Sequence, residues 1–138
     1  MKTKTNNDMK IELFTLCEGA FNTNGRLTIV NTFEDLIANQ YPWRGPLGMA
    51  LKLLVLQEEV QNYSFQIRIQ NRDKTQTFHE MNAELKLAQQ AGHGDVRIAL
   101  ATNIQGLLLP VAGEYLVVIS VNGNPLQTYS FKALFSHA

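Results

Sequence analysis

Three histidines, one cysteine and a few carboxylates are the residues from which this chain could build a reactive centre. His79-Glu80 begins like a zinc-protease helix, in which two imidazoles one turn apart reach one metal beside a Glu base. Ala83 stands where the second ligand would be, so His79 is expected at a surface or strand edge and no metal site is predicted. His93 lies between Gly92 and Gly94 with Asp95 next. That loop could present an imidazole and a carboxylate to a small molecule, and His93 and Asp95 are the candidate small-molecule position. The third glycine of a dinucleotide fingerprint is missing, and an ordinary turn is the plainer reading. Cys17 sits beside Glu18, whose charge raises a thiol pKa, so a buried structural role is expected. Glu58 and Glu59 read as a solvated pair in a polar turn. With no nucleophile elbow and no phosphate loop, no catalytic residue and no cofactor are predicted.

Binding chemistry has a better candidate in Tyr41, Trp43 and Arg44, within a stretch also carrying Pro42, Gly45 and Pro46. Tyr, Trp and Arg are the side chains enriched at the energetic centres of protein interfaces. The prolines and glycines predict a loop over Tyr41–Pro46. The competing reading has Trp43, the chain's only tryptophan, folding back to cap one end of the core.

The elements that must position these groups are strands. Tyr63, Phe65, Ile67 and Ile69 alternate with Ser64, Gln66, Arg68 and Gln70, as in a half-exposed strand. Tyr115, Val117, Ile119 and Val121 repeat the pattern, and Asn122-Gly123 then supplies the positive φ of a tight hairpin into Leu126–Ala133. Further strands are expected over Ile11–Cys17, over Leu27–Thr32 with an extension to Ala38, over Leu47–Leu56 and over Val96–Ile104, with a turn at Asn22–Gly25. Gln57–Asn62 reads as a polar loop, while 78–91 reads as strand or partly helix. Residues 1–8 are polar and expected to form a flexible tail ahead of a single domain over 9–138.

At 138 residues, 45% hydrophobic and 17% charged, the chain has the composition of one globular domain. Twelve basic residues balance twelve acidic ones, which removes the net field expected of a nucleic-acid or anionic-membrane binder. Arg68, Arg72 and Lys74 form only a thin basic group. The lone cysteine, the polar segment Met1–Lys10 and the lack of a long apolar run lead to an expected cytoplasmic location.

Eight or nine short strands need two packed sheets, since one sheet that size would leave an apolar face in water. The expected fold is an all-β, two-sheet antiparallel sandwich of immunoglobulin-like type, with a jelly-roll-like sandwich as the alternative. The run Leu109–Tyr115 favours the former, because a Tyr just after such a corner resembles the tyrosine corner of immunoglobulin-like domains. Cys17, Gly25–Val30, Phe33, Tyr41-Pro42 and Leu109–Tyr115 together resemble a family of small bacterial β-domain proteins with no assigned activity. The resemblance implies a β-sandwich and a bacterial origin, and it carries over no site residue. The expected function is a non-catalytic interaction or structural module whose loops or exposed strand edge, Leu126–Ala133 being the suited edge, meet a protein partner or a second copy, without nucleic acid or membrane. A small-molecule binder or enzyme with a pocket near His93 is the alternative.

Overall fold

The computed structural model describes residues 9–56, 61–87 and 95–136. Nine strands follow in chain order: β1 (Met9–Thr23), β2 (Arg26–Phe33), β3 (Asp35–Ala38), β4 (Trp43–Leu56), β5 (Gln61–Asn71), β6 (Thr77–Leu87), β7 (Asp95–Leu109), β8 (Gly113–Val121) and β9 (Asn124–Phe135). They form a four-stranded sheet in the order β2-β1-β4-β7 and a five-stranded sheet in the order β3-β9-β8-β5-β6. Every pairing is antiparallel except that of β3 with β9, which is parallel.

The core lies where the sheets face each other. Leu47, Met49, Leu51, Leu53 and Val55 of β4 point in from one sheet, and Phe65, Ile67, Ile69, Tyr115, Val117 and Ile119 meet them from the other. This period-two burial is the alternation read from the sequence. The segment 78–91 resolves to strand through Leu87, with Met81, Ala83 and Leu85 opposite Ile67, Phe65 and Tyr63. Residues 88–91, the tail 1–8 and most of the expected polar loop lie outside the described residues, although Gln61 and Asn62 already belong to β5.

The Tyr115 hydroxyl donates to the Val111 carbonyl at 2.6 Å and accepts from the Val111 N–H at 3.4 Å. That bond ties the start of β8 to the corner leaving β7, which makes it a tyrosine corner. Together with the strand order it makes the sandwich immunoglobulin-like.

Two expectations need correction. Tyr41–Pro46 is not a loop throughout, because Trp43, Arg44 and Gly45 pair with Leu109, Leu108 and Leu107. Pro46 is tolerated because the register shifts there, opposite Gln105 and Gly106, and Gly106 adopts φ +78°. Nor is the returning strand a simple edge: β3 covers β9 over Lys132–Phe135, and only the earlier part of β9 has an unpaired side among the described residues.

The sequence also concealed a third layer. Past Cys17, β1 leaves β4 and folds over the outer face of its own sheet. Asn103 of β7 accepts from the Ala20 N–H at 3.0 Å and donates to the Ala20 carbonyl at 2.8 Å, while Asn22 donates to the Ala99 carbonyl at 2.8 Å. The hairpin of late β1 and β2, turned by Asn24 and Gly25 with φ of 52° and 82°, thereby covers a second apolar cluster. Cys17, Ala20 and Ala50 are buried there against Leu27, Ile29 and Ala101.

Two outcomes follow. Tyr115→Phe should lose about 1–2 kcal/mol of stability, read as a lower urea midpoint with an unchanged slope. Asn103→Ala strands both Ala20 backbone groups and should cost about 1–3 kcal/mol. It should also expose the Cys17 thiol to maleimide in the native state, and an unchanged labelling rate would show that the hairpin is held otherwise.

Candidate functional site

The residues singled out from the sequence are distributed unevenly. Tyr41 is half-buried, donates its hydroxyl to the Leu134 carbonyl at 2.8 Å, and meets the Phe135 ring edge-on at 5.0 Å between centroids. Trp43 packs its indole on the edge of the core and lies across Gly45, where a Cβ would stand 2.5 Å from the ring. Arg44 points to the other face of the strand and donates to the Gly106 carbonyl at 3.1 Å. The structure thus brings Tyr41 and Trp43 to one end of the sandwich and turns Arg44 away. His93 lies outside the described residues, and Asp95 is exposed at the start of β7 opposite Leu56. His79 stands half-buried opposite Ile69 on the edge strand β6. Among the described residues no group of three or more His, Cys, Asp or Glu is placed to hold a metal ion.

Near Tyr41 and Trp43 is a feature the sequence did not reveal. After Phe33 the chain leaves β2 in one sheet and enters β3 in the other, and a cleft of about 350 Å³ opens beside the departing strand. Its walls are Phe33, Leu36, Ile37, Trp43 and Pro46, and Glu18 and Asp35 also line it. A smaller cleft of about 180 Å³ lies on the other side of Phe33, where Phe14 stacks on Tyr129 at 4.2 Å. Beyond the first cleft the surface stays apolar: Ile37, Leu134 and Phe135 are 63%, 39% and 54% exposed. Ile37 and Leu134 are direct register partners across β3 and β9. The sequence signal for this surface was the apolar set Leu36, Ile37, Leu134 and Phe135, which reads as ordinary strand until the topology places β3 at an edge.

The outer face of the five-stranded sheet differs in kind. Its cavity of about 530 Å³ is polar, and its side chains bond one another: Gln66 to Asn82 at 2.8 Å, Arg68 to Glu80 at 2.9 Å and Gln70 to Thr77 at 3.0 Å. The amide of Asn82 and then the Arg68 bond hold the Glu80 carboxyl below its ordinary value.

A family described as of unknown function, DUF6941, matches residues 12–134. The chain belongs to that family. No curated protein matches this DUF6941 chain in sequence. Among solved structures it is similar to the alkylpurine DNA glycosylase AlkC of Pseudomonas fluorescens bound to DNA, at 14% identity and a TM-score of 0.52. That match covers 92% of this chain but 30% of the glycosylase. An immunoglobulin-like protein of Pseudomonas aeruginosa matches at 16% identity over 91% of this chain and 95% of its own, with a TM-score of 0.43. A β-D-glucoside glucohydrolase of Trichoderma reesei matches at 7% identity over 91% of this chain and 18% of its own, with a TM-score of 0.48. At 14% identity the likeness to the glycosylase is one of fold. No helix among the described residues is long and apolar enough to cross a membrane.

Burial pushes the Cys17 thiol and the phenols of Tyr41, Tyr115 and Tyr129 above their ordinary values of 9.0 and 10.0. For Cys17 a backbone bond to Gly19 offsets part of the rise, and for Tyr41 the nearby Tyr115 adds to it. Above those ordinary values the unfolded chain binds fewer protons than the native one, so stability falls as pH rises. The urea midpoint should hold up to about pH 8, then drop first through the thiol range and next through the phenol range. Cys17→Ala should remove the first part of that drop.

Proposed function

We propose that this DUF6941 protein is a non-catalytic interaction module that receives an extended segment of a partner protein along the outer edge of β3, which is unpaired among the described residues. The observation that carries the reading is Ile37, a large apolar side chain 63% exposed on an edge strand and continuous with Leu134, Phe135 and the Trp43 cleft. An apolar patch beside an open strand edge is what strand addition uses: the backbone pairs with the edge, and alternate side chains enter pockets. Carboxylates at the cleft fit a basic rather than an acidic partner.

This reading leaves the nearby hydroxyl and thiol without a chemical role. The Tyr41 hydroxyl is committed to a backbone carbonyl, and Cys17 is sealed beneath the hairpin. Nucleic acid is not the partner in this reading, because Arg68, Arg72 and Arg97 pair with Glu80, Glu114 and Glu12, and Arg44 is held by Gly106. A bacterial origin and a cytoplasmic place complete the proposal, supported by the family resemblance and by a single, buried cysteine.

A benzophenone amino acid placed at the position of Ile37 tests the reading in cells. It should give a discrete higher-mass adduct that is absent when the same group is placed at the position of Arg72, on the exposed turn after β5. An adduct of twice the chain's mass would make the partner a second copy. Equal adducts at both positions, or none at either, would overturn the proposal.

A further inference from the structure

The cleft beside β3 has a composition that selects more narrowly than strand addition requires. Its aromatic walls are Phe33 and Trp43, with Leu36 and Pro46 completing an apolar channel. Glu18 and Asp35 also line it. The ion pairs recorded among the described residues are elsewhere, at Arg68–Glu80, Arg72–Glu114 and Arg97–Glu12. Among the described residues the Glu18 carboxylate accepts one bond, from the Asn31 amide at 3.1 Å, and the Asp35 carboxylate has no hydrogen-bond or ion-pair partner. Lys132 stands opposite Asp35 in the β3–β9 register without forming an ion pair.

An aliphatic stem capped by a cation matches each of these surfaces. Methylene groups bury against Phe33, Leu36 and Pro46, a positive head near an indole gains from the ring quadrupole, and the carboxylates neutralise it. A purely apolar side chain would fill the channel but leave Glu18 and Asp35 partly desolvated and unpaired, which costs free energy. An acidic side chain would be repelled.

We infer that the cleft lined by Trp43, Phe33, Glu18 and Asp35 is the specificity pocket of the docking edge, and that it takes a Lys or Arg side chain of the partner segment. This rests on the docking reading above and deepens it: the partner is an extended segment in which a basic residue points into the cleft while its backbone runs along β3.

Selecting a displayed library of random peptides on the immobilised full chain tests the inference, with the Ile37→Arg variant as the blocked control. Enriched peptides are then titrated as synthetic probes against the emission of Trp43, which reports the cleft directly because no other tryptophan is present. Peptides carrying a Lys or Arg among β-branched residues should emerge. Replacing that residue by norleucine should weaken binding about tenfold, as should the Asp35→Asn, Glu18→Gln double variant, with a blue shift of Trp43 emission on binding. Enriched peptides indifferent to both changes would overturn the basic pocket while leaving the docking edge standing. Enrichment equal on wild type and on Ile37→Arg, or none on either, would remove both.

Discussion

The main chains of β1 and β4 come into contact at Gly48, and the layout of the molecule follows from that approach. A Cβ at residue 48 would stand 3.0 Å from the Cys17 sulfur and 3.1 Å from both the Cys17 carbonyl oxygen and the Gly19 Cα. Only hydrogen at that position lets β1 pass over β4 instead of continuing beside it. Beyond the crossing, β1 has no partner on the β4 side, so its backbone groups turn to β2 and to the Asn103 amide. β2 then returns to the level of Leu16, opposite Phe33, and the chain passes to the other sheet. There it adds β3 as a four-residue parallel strand on β9. The cleft is the space this departure leaves between the sheets.

Closure is therefore unequal on the two sides of the sandwich. On the β6–β7 side the Thr102 hydroxyl reaches the Met81 sulfur at 2.9 Å, and apolar side chains of both edges join the core. On the β2–β3 side, four residues of pairing are too few to cover the apolar groups that the crossover carries outward. Short edge strands ordinarily limit unwanted pairing. Here that shortness exposes Ile37 and leaves an aromatic channel open beside carboxylates that nothing within the described chain neutralises. The polar outer face of β5 and β6 supplies the contrast, since its amides and ions already satisfy one another and offer a partner little gain.

Local patterning carried much of the fold in the sequence. The alternation at Tyr63–Ile69 and Tyr115–Val121 dictates which face each residue presents, because successive strand side chains point to opposite faces wherever the strand is placed. Asn122-Gly123 specifies its hairpin for an equally local reason, the positive φ of both residues. The interval from the Leu109-Pro110 corner to Tyr115 was short enough to announce the tyrosine corner before the bond to Val111 was seen.

The tertiary structure alone decided what depends on partners distant in the chain. Tyr41–Pro46 reads as a loop because its prolines and glycines are unfit for regular pairing, yet Trp43–Gly45 enter a ladder and a bulge at Gly106, some sixty residues away, accommodates Pro46. The folding of the hairpin onto β7 uses Asn103 and Asn22, and in sequence Asn103 is one of several polar residues of its strand. The cleft joins Glu18, Phe33, Asp35 and Trp43, residues of four strands whose proximity no spacing encodes. The sequence by itself determined a β-sandwich, its alternating faces and its tight turns, since those preferences act between neighbours. The crossing at Gly48, the open edge and the charge placed beside its aromatic channel arise from long-range pairing, and only the folded chain could show them.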